Sequence, residues 1–267
     1  GFDLNIKGSA VYSGPNELLV TSVQLTQGEN QAEVAGQLIK NRLLKGTVQA
    51  QLTELDALYP GLDGSVTADI DVSGDWKDPA AEGSVSLDDV QVPASLNPSL
   101  AQQGAVNGDL SVSGKLSDHH VETRISMPEH LLSIVVDGAW EGERWKGTIT
   151  DSQIGVFSTR WELESPFTVA VRPSPFSTKI TAHCWDSRNE GELCMRDLLY
   201  KNDVARWNID ANRLPIGLWA SEFLGELVPE PPEATASLTT QGKMPIGERP
   251  QGTFSLNVTP AIWALGK

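Results

Sequence analysis

The chain has 267 residues, with 20 Lys+Arg against 35 Asp+Glu and a formal charge of −15. Its apolar set is 39% of the residues, and 24 glycines bring the sum near the share of ordinary globular proteins, so wholesale disorder is excluded. An acidic balance with no run of Lys or Arg excludes nucleic acid as a partner and argues against adsorption on an anionic membrane surface.

The sequence opens Gly1-Phe2-Asp3-Leu4, without an initiator Met or a basic and apolar leader, and reads as a piece excised from something larger. Gly36 and Gly46 flank a first alternating unit. Leu55 to Tyr59, before Pro60, reads as a turn or two of helix. Between Gly64 and Gly74, Val66, Ala68, Ile70 and Val72 alternate with Thr67, Asp69, Asp71 and Ser73, the period of a half-buried strand. Gly83, Val85 and Leu87 follow after a turn. A second short helix is expected over Ser99 to Gln103. The stretch from Gly104 to Gly114 repeats the first pattern, with Val106, Gly108, Leu110 and Val112 against Asn107, Asp109, Ser111 and Ser113. Ile125, then Ile134 and Val136, continue the apolar row. Ile134-Val135-Val136 is typical of the longest aliphatic runs, far short of a spanning helix.

Gly138 and Gly147 bracket another hairpin that leads to Ile149. Cys184 and Cys194 enclose the turn formers Asp186, Ser187, Asn189 and Gly191, so they can meet across adjacent strands. A bridge there closes a loop of roughly 10 residues, contributes about 3 kcal/mol in the chain-entropy model, and implies an oxidising compartment. The alternative is two buried thiols. From Leu214 to Leu227, Ile216, Trp219, Phe223, Leu224 and Leu227 share a helical face between Pro215 and Pro229, and a helix that size can cap an edge or plug one end of a concave surface. A last copy of the repeat carries Ala234, Ala236, Leu238 and Thr240 before Gly242, then Gly252, Phe254 and Leu256.

Glycines nine or ten residues apart, each bordered by alternation, predict consecutive hairpins. The fold class is all-β: repeated antiparallel hairpins forming a long curled sheet around a U-shaped hydrophobic groove, with one short amphipathic helix. The divisions are a repetitive β segment over 1–213 including the cysteine hairpin, a helix and Pro-rich joint over 214–232, and a continuation over 233–267. Roughly eighteen to twenty strands at about 4.8 Å spacing make a sheet on the order of 90 Å long, whose aliphatic side must be covered by protein or by a ligand.

No phosphate loop, dinucleotide fingerprint, metalloprotease motif or nucleophile elbow occurs, and no enzyme is expected. The four histidines are His119, His120, His130 and His183. His119 and His120 point to opposite sides of a strand, and no metal site or cofactor is expected from them. Asp69 and Asp71 read as a solvated face, because Asp109 recurs at the same place in the next repeat. Asp88-Asp89 lacks the ladder of a repeat-type calcium site. Of the eight tryptophans, Trp76 and Trp140 each lie two residues after a repeat glycine, and packing at hairpin ends is the expected role of the set.

The segment Cys184-Trp185-Asp186 through Gly191-Glu192-Leu193-Cys194, the preceding Trp161-Glu162-Leu163, the following Trp207-Asn208-Ile209 and Leu214-Pro215-Ile216, and the apolar-Gly-x-apolar strands resemble the TamB family of Gram-negative bacteria. The repeats are shared with the wider AsmA-like group of bridge-like lipid transfer proteins. The resemblance implies a periplasmic segment of a protein anchored in the inner membrane, which partners the outer-membrane barrel TamA through the parent protein and not directly through this segment. It also implies a β-taco groove that conducts phospholipids between the membranes, and a part in outer-membrane protein assembly. Acyl chains are then expected against Val66, Ile70, Val72, Val85, Leu87, Val106, Leu110, Val112, Ile125, Ile134, Val136, Leu238 and Leu256. The competing expectations are a module holding unfolded outer-membrane β-strands, and a closed spacer whose aliphatic side is ordinary core.

Overall fold

The computed structural model describes residues 4–14, 17–39, 43–156, 159–187, 191–224, 233–247 and 249–260. Eighteen strands and three short helices occur among them, so the chain is all-β. Two compact units divide at Ala139/Trp140. In the first, β1 (Asn5–Gly14), β2 (Glu17–Gln27), β3 (Asn30–Ile39), β4 (Leu43–Leu52), β5 (Asp63–Asp75), β6 (Asp78–Gln91), β7 (Val106–Lys115), β8 (Asp118–Met127) and β9 (His130–Glu141) pair in chain order as an antiparallel meander. The short helices α1 (Leu55–Leu58) and α2 (Pro98–Gln102) interrupt it.

The second unit is also an antiparallel meander, with two of its strands broken in the middle. β10 (Arg144–Val156) pairs with both β11 (Thr159–Leu163) and β12 (Phe167–Pro173), which lie end to end. β13 (Phe176–Ile180) and β14 (His183–Ser187) follow in the same manner, and both pair with β15 (Gly191–Lys201). The break is stitched by Thr181, whose hydroxyl oxygen accepts from the Thr168 N–H at 2.8 Å and whose own N–H donates to the Thr168 carbonyl. β16 (Val204–Leu214), helix α3 (Ile216–Leu224), β17 (Ala236–Pro245) and β18 (Gln251–Val258) complete the unit. The Pro229 to Pro232 run, Leu227 and Trp263 lie outside the described residues. No helix among the described residues is long and apolar enough to cross a membrane.

Alternation alone does not keep one side apolar through these strands; bulges restore it. Leu87 pairs with Gly108 and Val90 with Val106, so two residues three apart on β6 meet two residues two apart on β7. Asp89, inside that bulge, takes a positive φ of 49°. The same device separates Ala211 from Leu214 on β16, where Arg213 has φ 52°. An extra residue turns the next side chain to the other side of the sheet, so the bulge re-phases a sequence whose period has slipped. Close approach sets the other local constraint. A Cβ at Gly83 would collide with the Asp69 carbonyl and the Ile70 Cα across the β5/β6 pair, so only glycine fits there.

Connections alternate between two edges of each meander. In the first unit one edge carries tight turns and the other carries α1, α2 and the β2–β3 and β8–β9 turns. Buried apolar residues in this unit are Leu55, Ala57, Val90 and Leu131, all at the helix-bearing edge. Helix α1 is fixed there by Asn30, 2% exposed, whose Nδ2 donates to the Glu54 carbonyl at 2.7 Å while its Oδ1 accepts from the Glu54 N–H at 2.8 Å. Helix α2 is capped by Asn97, whose side chain accepts from the Ser99 and Leu100 N–H groups, with Pro98 at the first helical position.

The cysteines form a disulfide across a direct cross-strand pair of β14 and β15, and Cys194 is fully buried. The alternative of two thiols does not hold. Asn30 bonds both main-chain groups of Glu54, so Asn30→Ala leaves the Glu54 N–H without its partner and the Glu54 carbonyl with the Ala57 N–H alone. Its unfolding free energy in urea is expected to fall by about 1–2 kcal/mol. A change under about 0.5 kcal/mol would mean that water replaces both bonds.

Candidate functional site: the apolar side of the sheets

Directly paired residues of an antiparallel sheet lie on the same side, so register decides which side chains meet. One row can be followed through all nine strands of the first unit: Ile6, Leu25, Ala32, Ala50, Ala68, Val85, Leu110, Thr123, Ile134. The row beside it passes through Val34, Val48, Ile70, Gly83, Val112, Val121 and Val136. Val66, Leu87, Gly108 and Ile125 form part of a third, and Val72 and Val106 lie on the same side. The eleven residues of the first unit expected from the sequence therefore share one surface. None is buried: ten are half-buried and Leu110 is 39% exposed. Sequence reading missed Ile6, Val34, Val48 and Val121, which extend the surface. The alternation around Gly36 and Gly46 was the available signal for Val34 and Val48.

The other side of this unit is polar and solvated. Gln24, Glu33, Gln49, Asp69, Ser84, Ser111 and Glu122 follow one another across seven strands. Their side chains bond laterally: Gln24 Nε2 donates to Glu33 at 3.1 Å, and the Ser86 hydroxyl to Asp109 at 3.0 Å. Asp69 accepts from Gln49. His120 lies between Asp137 at 2.7 Å and Glu122 at 3.0 Å. Both carboxylates only accept, so the cationic ring satisfies both bonds, and the pKa rises above the ordinary histidine value through Asp137 first and Glu122 second. Among the described residues, the one group of three potential metal ligands is Cys184, Glu192 and Cys194, whose two sulfurs are joined to each other.

In the second unit, Leu238 and Leu256 pair directly and continue a row through Ala211, Leu193, Trp185 and Leu163. Burial varies along it: Leu256 on the outer strand is 54% exposed, whereas Ala211 is 2% and Trp185 9% exposed, with Leu193 and Leu163 half-buried. The buried end is an aromatic cluster. Phe167 stacks on His183 with centroids 3.6 Å apart and meets Trp185 edge-on at 6.0 Å. Trp219 of α3 meets Trp161 edge-on at 5.8 Å and donates its Nε1–H to the Thr159 hydroxyl. Helix α3 thus plugs the apolar side at this end, as its sequence suggests. The packing role expected of the tryptophans holds for Trp161 and Trp185. Trp76 and Trp140 depart from it: they are 51% and 36% exposed at hairpin ends where no second layer reaches, and the Lys77 ammonium lies 5.9 Å from the Trp76 ring.

His183 is 5% exposed, and its Nδ1–H donates to the Thr181 carbonyl at 2.7 Å, which fixes the tautomer. Burial lowers its pKa below the ordinary value, and the carbonyl bond opposes that more weakly. In the unfolded chain the ring takes a proton near pH ~6.5, whereas in the folded chain it does so only at lower pH. Its contribution to stability is therefore complete above about pH 6.5 and is lost as pH falls toward the folded pKa. Urea midpoints are expected to drop between about pH 7 and pH 5.5, and His183→Phe should make that drop shallower. Equal slopes for the two proteins would remove His183 as the cause.

A family model described as TamB, N-terminal domain, matches residues 1–102 and 97–260. No solved structure matches the chain. The matched residues take in the alternating strands of both units, the disulfide hairpin and α3, and on that extent the chain belongs to the TamB family.

Proposed function

We propose that this chain is a noncatalytic segment of a conduit that passes phospholipids between the inner and outer membranes, with acyl chains lying on the apolar side of its sheets and headgroups toward the margin. Proteins of the TamB family are periplasmic, anchored in the inner membrane, associated with the outer-membrane protein TamA, and act in transport and assembly. The observation that carries the reading is the burial pattern of the first unit. One apolar row runs through all nine strands, yet among the described residues the unit's buried apolar side chains are confined to the helix-bearing edge. Apolar surface of that extent calls for a ligand or partner. Each methylene laid on it removes apolar surface from water at about 0.8 kcal/mol, so a few turns of hydrocarbon are held without any directed polar bond. Val66, Ile70, Val72, Val85, Leu87, Val106, Leu110, Val112, Ile125, Ile134 and Val136 form the proposed lining, with Leu238 and Leu256 in the second unit.

A second reading, the holding of unfolded outer-membrane β-strands, draws on β18. All eight of its residues are exposed, Phe254 at 71%, and among the described residues β18 pairs only with β17. An open edge of that kind accepts another strand. A photo-crosslinker replacing Leu110 separates the two readings, since lipid adducts support the conduit and polypeptide adducts support the strand holder.

Ile70→Arg or Leu110→Arg places a cation in the middle of the rows. Phospholipid retained by the purified chain, measured by mass spectrometry, should fall several-fold with the circular-dichroism spectrum unchanged. Undiminished lipid in both variants would count against the conduit, and so would an unfolded spectrum, because the loss would then follow from instability.

A further inference from the structure

The sequence shows no basic cluster, yet register builds one. The charge is unevenly divided: seven Lys+Arg stand against nineteen Asp+Glu up to Ala139, and thirteen against sixteen beyond it. Seven of those thirteen cations gather on one side of the second unit, opposite its apolar rows. The row Lys146, Ala170, Lys179, Leu199, Arg206, Lys243 crosses β10, β12, β13, β15, β16 and β17 by direct pairing. Arg172 pairs with Ser177 and Ser177 with Lys201 in the row beside it, nearer the tight turns. Arg144, Arg172, Lys179 and Lys201 line one shallow concavity of about 350 Å³ with Leu199 and Ala170 at its floor. Arg206 and Lys243 line a second, which also holds Asp197.

All seven cations are exposed. Of the seven, only Arg172 has a counterion among the described residues, Glu143 at 3.2 Å. Asp197 lines the second concavity, Asp203 accepts a bond from the Tyr200 hydroxyl, and Glu141 stands in the same hairpin as Glu143 and Arg144. Farther along the strands the same side carries Asp210, paired with Arg196, and the row Glu162, Asp186, Glu192, so the basic field is confined to the half nearer the tight turns. At the same edge, apolar side chains stand out at the strand ends: Phe176 is 54% exposed, Ile246 64% and Met244 41%. The Ile246 N–H donates to the Asp203 carbonyl, so the β15–β16 and β17–β18 turns are tied together at that edge.

We propose that this basic side and its apolar turn tips dock the second unit on a bilayer surface carrying anionic phospholipid headgroups. A broad field of seven exposed cations with one ion pair suits a fluid array of phosphates, each cation adding to the attraction. Phe176 and Ile246, exposed at the strand ends of the same edge, supply apolar tips of the kind that enter the headgroup layer. A protein partner would want largely desolvated anchors, and these exposed cations over shallow concavities offer none. The acidic balance of the chain does not oppose this docking, because net charge is a sum over the whole chain, whereas adsorption responds to charge within about 10 Å of the surface.

The test is sedimentation of the whole chain with vesicles of phosphatidylcholine alone or with about 30 mol% phosphatidylglycerol. Binding is expected only to the anionic vesicles at about 50 mM salt and should be lost at about 500 mM. Reversal of Arg172, Lys179, Arg206 and Lys243 to Glu should weaken binding by at least about ten-fold, whereas reversal of Lys7, Lys45, Lys77 and Lys115 in the first unit should not. Equal binding by the first variant overturns the proposal, as does salt-insensitive binding to uncharged vesicles. Salt-sensitive self-association without vesicle binding also overturns it and assigns the patch to the acidic unit of a second copy. Ile70→Arg should bind vesicles like the unaltered chain, so loss of the lipid conduit and loss of docking are separable results.

Discussion

Everything in this protein depends on the inheritance of sidedness from strand to strand. In an antiparallel meander each residue faces the same way as its direct partner, so a single apolar position in β1 commits a position in every later strand of the first unit. The rows obtained are supported sideways by neighbours about 4.8 Å away and not from above. That explains why Val66 or Ile70 can belong to a well-formed strand and still be only half-buried. Cover from above is supplied at one edge, where α1 places Leu55 and Ala57 and where Val90 of β6 is buried, and in the second unit by α3. The chain holds its strands by the hydrogen-bonded ladder and by packing at these edges, while the centre of the rows stays half-buried.

Period and spacing carried most of this in the sequence. Alternation between Gly64 and Gly74 and between Gly104 and Gly114 marks β5 and β7, and the joints at Leu55, Ser99 and Leu214 mark the three helices. The cysteine pair is legible because both residues belong to one hairpin. The bulges are not: at Leu87 to Val90 and Ala211 to Leu214 the apolar period slips by one residue, which in isolation resembles the end of a strand. Only the partner strand, continuing in phase, shows that the slip is absorbed by a positive φ at Asp89 or Arg213.

Features assembled from distant strands were the least legible. Phe167, His183 and Trp185 look like separate aromatic residues in the sequence, and Trp219 is sixty positions from the Thr159 hydroxyl it bonds. The cations are the clearest instance, for no two of Lys146, Lys179, Arg206 and Lys243 lie within twenty residues of each other. A sheet adds up one residue from each strand, so a property distributed at one per strand is invisible to a window along the chain and plain across it. Both faces of the second unit follow this rule, one collecting aliphatic and aromatic residues and the other collecting charge.

The aromatic cluster also sets an energetic limit on the proposed path. A hydrocarbon tail lying along Leu256, Leu238 and Ala211 meets Trp185 and then Trp161 under Trp219. To pass, it would have to displace Trp219. That costs an edge-on aromatic contact of about 0.5–1.5 kcal/mol and a hydrogen bond to Thr159 of about 1 kcal/mol. Displacement would also bring the buried, unpartnered Trp161 Nε1 within reach of water, which offsets part of the loss. At about 0.8 kcal/mol per methylene, two or three further groups on the tail balance what remains. On that proposed path helix α3 would stop a short contact and set only a modest threshold for a long one, with the threshold at Trp219 rather than at the aliphatic rows that lead to it.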